Sequence, residues 1–418
     1  MKSVLFKLLL TCFISTSLMA QDWNTLVTFT PASTLKDIYW VNESTAYAVG
    51  SMYNGTALNV KKTTDGGITW EEQFTGNTEM NYYEIDSPNN GEDVFIVGNY
   101  GILIYTNDGG ENWNNLDIGT TEHLRDIFFL SNLIGFICGD GATVLKTVDG
   151  GMTWINLNAV MTGVNTIGKI CFLNEDRGFI GGFNFMQETF DGGLTWTYVP
   201  GFEPVAGELF QIQDIQFLND NVGYVSGDVG LFYKTEDGAE TWIDKQVVIP
   251  DYLTESLFSF KFLDSDPNIG FACGYYGLLI RTYDAGDTWE LMSSDIPGTN
   301  TPGGPTFHAL DFFGNKGLMA GSGGKISGYE YTTTSTSEFN TTHNSISIYP
   351  NPVKDLLTFT GYENMIDEIQ VIDINGKVCK VIYHPSNNNI QCDDLLNGKY
   401  ILRIISEKTI SHKLFIKN

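Results

Sequence analysis

Residues 147–154 read Thr147-Val148-Asp149-Gly150-Gly151-Met152-Thr153-Trp154, and the same pattern stands at five other places in the chain. It is TTDGGITW at 63–70 (Asp65, Trp70), TNDGGENW at 106–113 (Asp108, Trp113) and TFDGGLTW at 189–196 (Asp191, Trp196). It recurs as TEDGAETW at 235–242 (Asp237, Trp242) and TYDAGDTW at 282–289 (Asp284, Trp289). The residue types have a common reason. A carboxylate can accept backbone N–H groups across a tight turn, glycines take the positive φ such a turn needs, and the flanking Thr and Trp suit strands. Successive tryptophans lie 43, 41, 42, 46 and 47 residues apart. A period in the forties belongs to propellers and solenoids rather than to one closed core.

Upstream of each box lie two further strand signatures, as in Asp126-Ile127-Phe128-Phe129-Leu130 and Ile134-Gly135-Phe136-Ile137-Cys138-Gly139 before Ala142–Thr147. With the strand that starts near the Trp, each repeat has four short strands, the content of one propeller blade. Innermost strands are placed at 37–41, 83–86, 126–130, 169–173, 214–218, 259–263 and 309–313, which gives seven units. The seventh has no box or Trp of its own, and Trp23 lies 47 residues before Trp70. An N-terminal strand beginning at Trp23 is therefore expected to complete the last blade and close the ring, leaving no free sheet edge. The fold expected is all-β: a seven-bladed β-propeller over 21–332, followed by a small antiparallel β-sandwich.

The boxes resemble the Asp-boxes of bacterial neuraminidase-repeat proteins, and the body is similar to the propellers of the photosystem II stability and assembly factor family. The resemblance covers residues 21 to about 332 and implies fold more than function. Ala239 and Ala285 replace box glycines, and Ala239 is expected to distort its turn, because a Cβ disfavours positive φ.

Both ends of the chain carry signals of export. Lys2 and Lys7 precede an apolar run over 8–18 that ends in Met19-Ala20, the pattern of a secretory signal peptide over 1–20. A Ser/Thr-rich linker at 333–344 leads into 345–418, where Tyr349-Pro350-Asn351-Pro352, Asn375-Gly376-Lys377 and Gly398-Lys399-Tyr400 punctuate alternating apolar segments. This segment resembles the type A C-terminal sorting domain of the type IX secretion system of Bacteroidota. The resemblance implies the type IX machinery as a partner and a secreted or outer-surface location.

The whole chain carries a formal charge of −27. Residues 21–344 hold 13 Lys and Arg against 42 Asp and Glu, whereas 345–418 balance eight against eight. So acidic a body repels phosphate backbones and anionic lipid heads, which argues against nucleic acid as a partner. Five cysteines remain after the signal, an odd and sparse set with no Cys-x-x-Cys spacing. They fit neither a disulfide framework nor a metal site, and Cys379 with Cys392 is the one bridge left open. No ligand cluster suggests a metal, and Gly-x-Gly strings such as Gly139-Asp140-Gly141 fall in hairpins, so no cofactor is expected. His123 and His308, each three residues before an Asp, are read as equivalent positions in blades three and seven.

A resemblance to sialidases would imply three arginines around a substrate carboxylate, yet the body's three, Arg125, Arg177 and Arg281, occupy unmatched blade positions. The boxes are read as structural, at the periphery between third and fourth strands. The hairpins between second and third strands should line the mouth, with Tyr100, Asp140, Asp228, Tyr275 and Tyr276 as candidate contacts for an unidentified extracellular ligand, glycan or protein. The expectation is a non-catalytic propeller that binds or scaffolds. The alternative is a carbohydrate-active enzyme, a glycosidase or sialidase-like hydrolase, with its carboxylates in the mouth.

Overall fold

The computed structural model divides into two compact units, residues 1–332 and 333–418. It describes residues 23–331 of the first apart from 30–32, 52–59, 74–79, 90, 92, 158, 160–165, 205–208, 246, 248–255, 293 and 302. Of the second it describes 347–417 apart from 361–365, 367, 374–377, 386–387, 394 and 407–408. The expected signal peptide, the linker and Asn375-Gly376-Lys377 lie outside the described residues.

The first unit is built of seven four-stranded antiparallel sheets. Their inner strands are Thr34–Trp40, Tyr82–Asp86, Leu124–Phe129, Ile167–Phe172, Ile212–Phe217, Leu257–Leu263 and Phe307–Phe313. Each inner strand packs on the next in chain order and the seventh packs on the first, so the ring is closed. Second strands such as Val94–Gly98, Gly135–Gly139 and Gly223–Gly227 are buried at every residue. Neighbouring blades cover both their faces, which is why their sequences run apolar instead of alternating.

Blade seven takes its fourth strand from the start of the chain: Asn24–Thr28 pairs antiparallel with Lys325–Glu330. Trp23 is fully buried, with its ring 5.3 Å from that of Tyr329 and 6.0 Å from that of Phe312. Joining the first and last strands of the propeller in one sheet gives every blade four strands and covers the edge that the third strand would otherwise expose.

The box turns repeat one hydrogen-bond set. In blade three Thr147 Oγ1 donates to Asp149 Oδ1 (2.8 Å) and accepts from Gly151 N (2.9 Å). Asp149 then accepts Thr153 N and Thr153 Oγ1 at 2.9 and 2.5 Å. Asp65, Asp191, Asp237 and Asp284 do the same with their own Thr, and Asp108 with the Asn112 amide. The second glycine seats the turn on the preceding blade: a Cβ on Gly151 would stand 2.5 Å from the Phe95 ring. Trp70, Trp154 and Trp196 each donate their indole N–H to that glycine's carbonyl.

The expected distortion at Ala239 does not occur. Ala239 adopts φ +68°, is buried, and still donates its N–H to Thr235 Oγ1 at 2.9 Å, and Ala285 holds φ +56°. The hydrogen bonds and burial around the turn outweigh the Cβ penalty of about 1–2 kcal/mol.

The second unit is a sandwich. Ser347–Tyr349, Leu356–Thr360 and Asn389–Gln391 form one sheet, and Val378–Tyr383, Glu368–Asp373, Gly398–Ser406 and Thr409–Lys417 form the other. Leu357, Phe359, Ile369, Val371, Leu402 and Phe415 supply its core. Tyr349 is exposed, Asn351 Oδ1 accepts Ile416 N at 2.9 Å, and Tyr400, stacked on Phe415, donates its hydroxyl to Leu396 O at 2.9 Å. Gly398 opens the first of the two long terminal strands. Pro350 and Pro352 follow cis peptide bonds just beyond Tyr349. Cys379 is exposed whereas Cys392 is buried with its thiol 3.5 Å from Ile390 O.

Candidate functional site: the channel and its mouth

Every inner strand bears a β-bulge near its start, at Lys36, Tyr83, Arg125, Gly168, Gln213, Phe258 and His308 in turn. A bulge sets two consecutive residues against one partner and re-aims their side chains. This register corrects one sequence expectation. His308 is the bulge residue of blade seven and matches Arg125, while His123 lies before Leu124, outside the strand. Counting back from Asp126 and Asp311 misaligned them, because Asp311 stands two residues deeper in its strand than Asp126.

Just past the bulges, the inner strands enclose a central cavity of about 490 Å³ lined from all seven blades. An inner strand is a sheet edge, and its outward N–H groups lack ladder partners. The preceding blade supplies them. Asp37 accepts Ile85 N at 3.0 Å, Asp86 accepts Phe129 N at 2.7 Å and Asp126 accepts Ile170 N at 2.7 Å. Asp214 accepts Phe260 N at 3.3 Å, Ser259 Oγ accepts Leu310 N at 3.3 Å, and Asp311 accepts Trp40 N at 2.8 Å across the closing seam. Blade four carries Lys169 at this place. Its ammonium lies 2.8 Å from Glu84 and 3.5 Å from Asp126, while Lys261 lies 3.3 Å from Asp311.

Asp220 and Asp264 bring the carboxylates lining the channel to eight, beside Lys36, Lys169 and Lys261, and burial governs the titration of Asp37, Glu84, Asp86, Asp126 and Asp214. It pushes Asp37 and Asp86 up to about 7 and Asp214 to about 6, against the lowering effect of their N–H partners and, for Asp37 and Asp214, of Lys169. Burial also raises Glu84 and Asp126. Burial alone would lower Lys169, but the Asp126 and Glu84 carboxylates hold it well above its ordinary value. Among the described residues no three His, Cys, Asp or Glu side chains converge as a metal cage. None of these channel residues was singled out in the sequence as a site. The available signal was a charged residue before Ile at the same place in successive inner strands, as in Asp37-Ile38, Glu84-Ile85, Asp126-Ile127, Lys169-Ile170 and Asp214-Ile215.

Above the bulges stand the hairpins between second and third strands. Asp140 is held by Arg125 in a two-point pair (3.0 and 2.8 Å), and Asp228 accepts Gln213 Nε2 at 3.0 Å. Burial opposes ionisation of Asp140, but the Arg125 hydrogen bonds win and keep it below the usual carboxylate range. Tyr100 sits 5.0 Å from His123 ring to ring, and Tyr275 is edge-on to Phe258 at 6.4 Å and 4.1 Å from Tyr276. The five candidate mouth residues therefore occupy one face but divide between blades 2–3, blade 5 and blade 6. Tyr100, Val229 and Tyr276 all hold left-handed φ (56°, 59° and 52°), where blade seven uses Gly323. For a β-branched residue such as Val229 this is a costly backbone state. The box residues sit elsewhere, between third and fourth strands at the rim of blades one to six.

Comparison with known proteins follows the same division. Residues 347–418 match the secretion system C-terminal sorting domain. The chain is accordingly an export substrate of the type IX system, secreted or held at the outer cell surface, and the export machinery is its partner in that step. No curated protein matches the sequence. Among solved structures, YCF48 bound to D1 peptide is 20% identical with a TM-score of 0.58, covering 75% of this chain and 99% of that one. YCF48 from Cyanidioschyzon merolae is 18% identical with a TM-score of 0.56 over 74% and 98%. A GH74 xyloglucanase from Xanthomonas campestris is 12% identical with a TM-score of 0.56 over 91% of this chain and 59% of its own. At these identities the likeness is one of fold. The family model described as photosynthesis system II assembly factor YCF48 matches residues 15–121, 111–212 and 203–335, and the chain belongs to that family.

Proposed function

We propose that the exported propeller is a non-catalytic binding or scaffolding module that takes an extracellular ligand, glycan or protein segment, at its mouth. The observation that carries this is the exposed bulk on the mouth hairpins. Tyr100, Phe183, Val229 and Tyr275 project at blades 2, 4, 5 and 6, and two of those hairpins hold a non-glycine residue in the left-handed region at the exposed position itself. Unfavourable backbone states that keep apolar side chains in water are retained more readily for recognition than for folding. The channel carboxylates support the same reading, because Asp37, Asp86, Asp126, Asp214 and Asp311 each accept a backbone N–H of their own or the next blade. A peptide-bound YCF48 has the same fold, which adds a protein segment to the ligand classes worth testing.

A specific observation favours the hydrolase alternative: Asp37, Asp86 and Asp214 titrate between about 6 and 7, the range useful for proton transfer at neutral pH. The test is retention of extracellular proteins and glycans on the immobilised mature protein, alongside turnover of fluorogenic glycosides. Retention lost in Tyr100→Ala and Tyr275→Ala supports the binding module. Turnover lost in Asp214→Asn sinks it in favour of a hydrolase.

A further inference from the structure

The mouth carries two aromatic platforms on opposite sides of the ring. On blades 6 and 7, Phe258 and His308 stack at 5.4 Å with a 30° interplanar angle, and Tyr275 abuts Phe258. Phe258 and His308 also line the channel cavity, so this platform runs from the hairpin tip down into the channel. On blades 2 and 3, Tyr100 lies against His123, and the Arg125 guanidinium sits 5.1 Å over the Tyr83 ring. Blades 4 and 5 stand between the two groups one way round and blade 1 the other, so a straight ligand running from Tyr100 on blade 2 to Tyr275 on blade 6 crosses the channel mouth.

The guanidinium in these groups is already neutralised. Arg125 is consumed by its two-point pair with Asp140. His123 Nδ1 accepts the Tyr100 N–H at 3.0 Å. Burial and nearby Lys36 keep His308 neutral, with a pKa pushed down to about 3. Hydrogen-bonding groups do border the rings: the Arg125–Asp140 pair, Gln213 with Asp228, and Ser259 beside Phe258.

We propose that this face binds a neutral, extended glycan chain laid across the mouth, one sugar on each platform. The inference rests on the binding reading above and names its ligand class. A pyranose presents an apolar C–H face to an aromatic ring and a rim of hydroxyls to polar neighbours, which is the pattern each platform offers. An anionic glycan or acidic peptide meets a body with 42 acidic and 13 basic residues, and is repelled. A basic segment is drawn by that field but finds Asp140 already held by Arg125.

The experiment is calorimetric titration of the full mature protein with cellohexaose, xylohexaose, mannohexaose and laminarihexaose at low and high salt. At least one hexasaccharide should bind with an affinity that salt leaves unchanged. Tyr100→Ala and Tyr275→Ala should each weaken it about tenfold, as loss of one stacking surface predicts. Tyr283→Ala, an exposed aromatic on a box turn, serves as the control and should leave it unchanged. Binding insensitive to both mouth variants overturns the proposal. So does the absence of hexasaccharide binding together with mouth-dependent retention of a secreted protein, which leaves the wider binding reading standing. If neither glycans nor proteins are retained, both fall.

Discussion

Each box works through residues within four positions of its Asp, and the Thr is the pivot. Thr147 is buried and its hydroxyl serves both Asp149 and the buried Gly151 N–H. Thr147→Val keeps the shape but leaves that N–H without an acceptor, and should cost about 1–3 kcal/mol in urea unfolding. A change below the error of the measurement would mean that the turn does not depend on this bond. Such local logic is why the boxes were legible in the sequence. The tolerance of Ala239 was not legible, because the packing and hydrogen bonds that hold it come from the folded turn rather than from its conformational preference. The bulky left-handed residues Tyr100, Val229 and Tyr276 were hidden for the same reason: the sequence shows a tyrosine, not its φ.

At the scale of the element, the inner strand is a sheet edge completed by the carboxylate of its neighbour. That pairing joins residues some forty positions apart, such as Asp37 with Ile85, so local spacing could place the strands but not the seams. The seams titrate. Asp37 and Asp86 stand at about 7 in the fold, and Asp214 at about 6, against about 3.9 in the unfolded chain. Raised values mean that the fold holds protons the unfolded chain has released. Their stabilising contribution is complete below about pH 4 and is lost as pH climbs through 6 and 7. The box carboxylates act in the opposite sense: Thr69 hydroxyl and N–H bonds lower Asp65, for example, so its contribution is lost as pH falls. Melting temperature should therefore fall from pH 5 to pH 8, and Asp86→Asn should flatten that slope whatever its effect on absolute stability. Thermal melts across this range check it; an unchanged slope in the variant would contradict the assignment.

At the scale of the molecule, the ring is closed by the strand Asn24–Thr28, and the spacing of Trp23 before Trp70 already pointed there. Trp23→Ala removes a fully buried indole from between blades six and seven. It should cost about 3–5 kcal/mol in denaturant unfolding, where a surface Trp would cost little. Architecture and export were readable because they repeat or carry their own motifs. The ligand was not, because the mouth is assembled from hairpins of different blades and its chemistry appears only when they meet. Whether that mouth holds or cuts decides the account. The most direct measurement is to incubate the mature protein with the hexasaccharide it retains and follow new reducing ends over time. A binding module leaves the ligand intact at saturation. Reducing ends that accumulate with wild-type protein and vanish with Asp214→Asn would contradict the account and make the channel an active site.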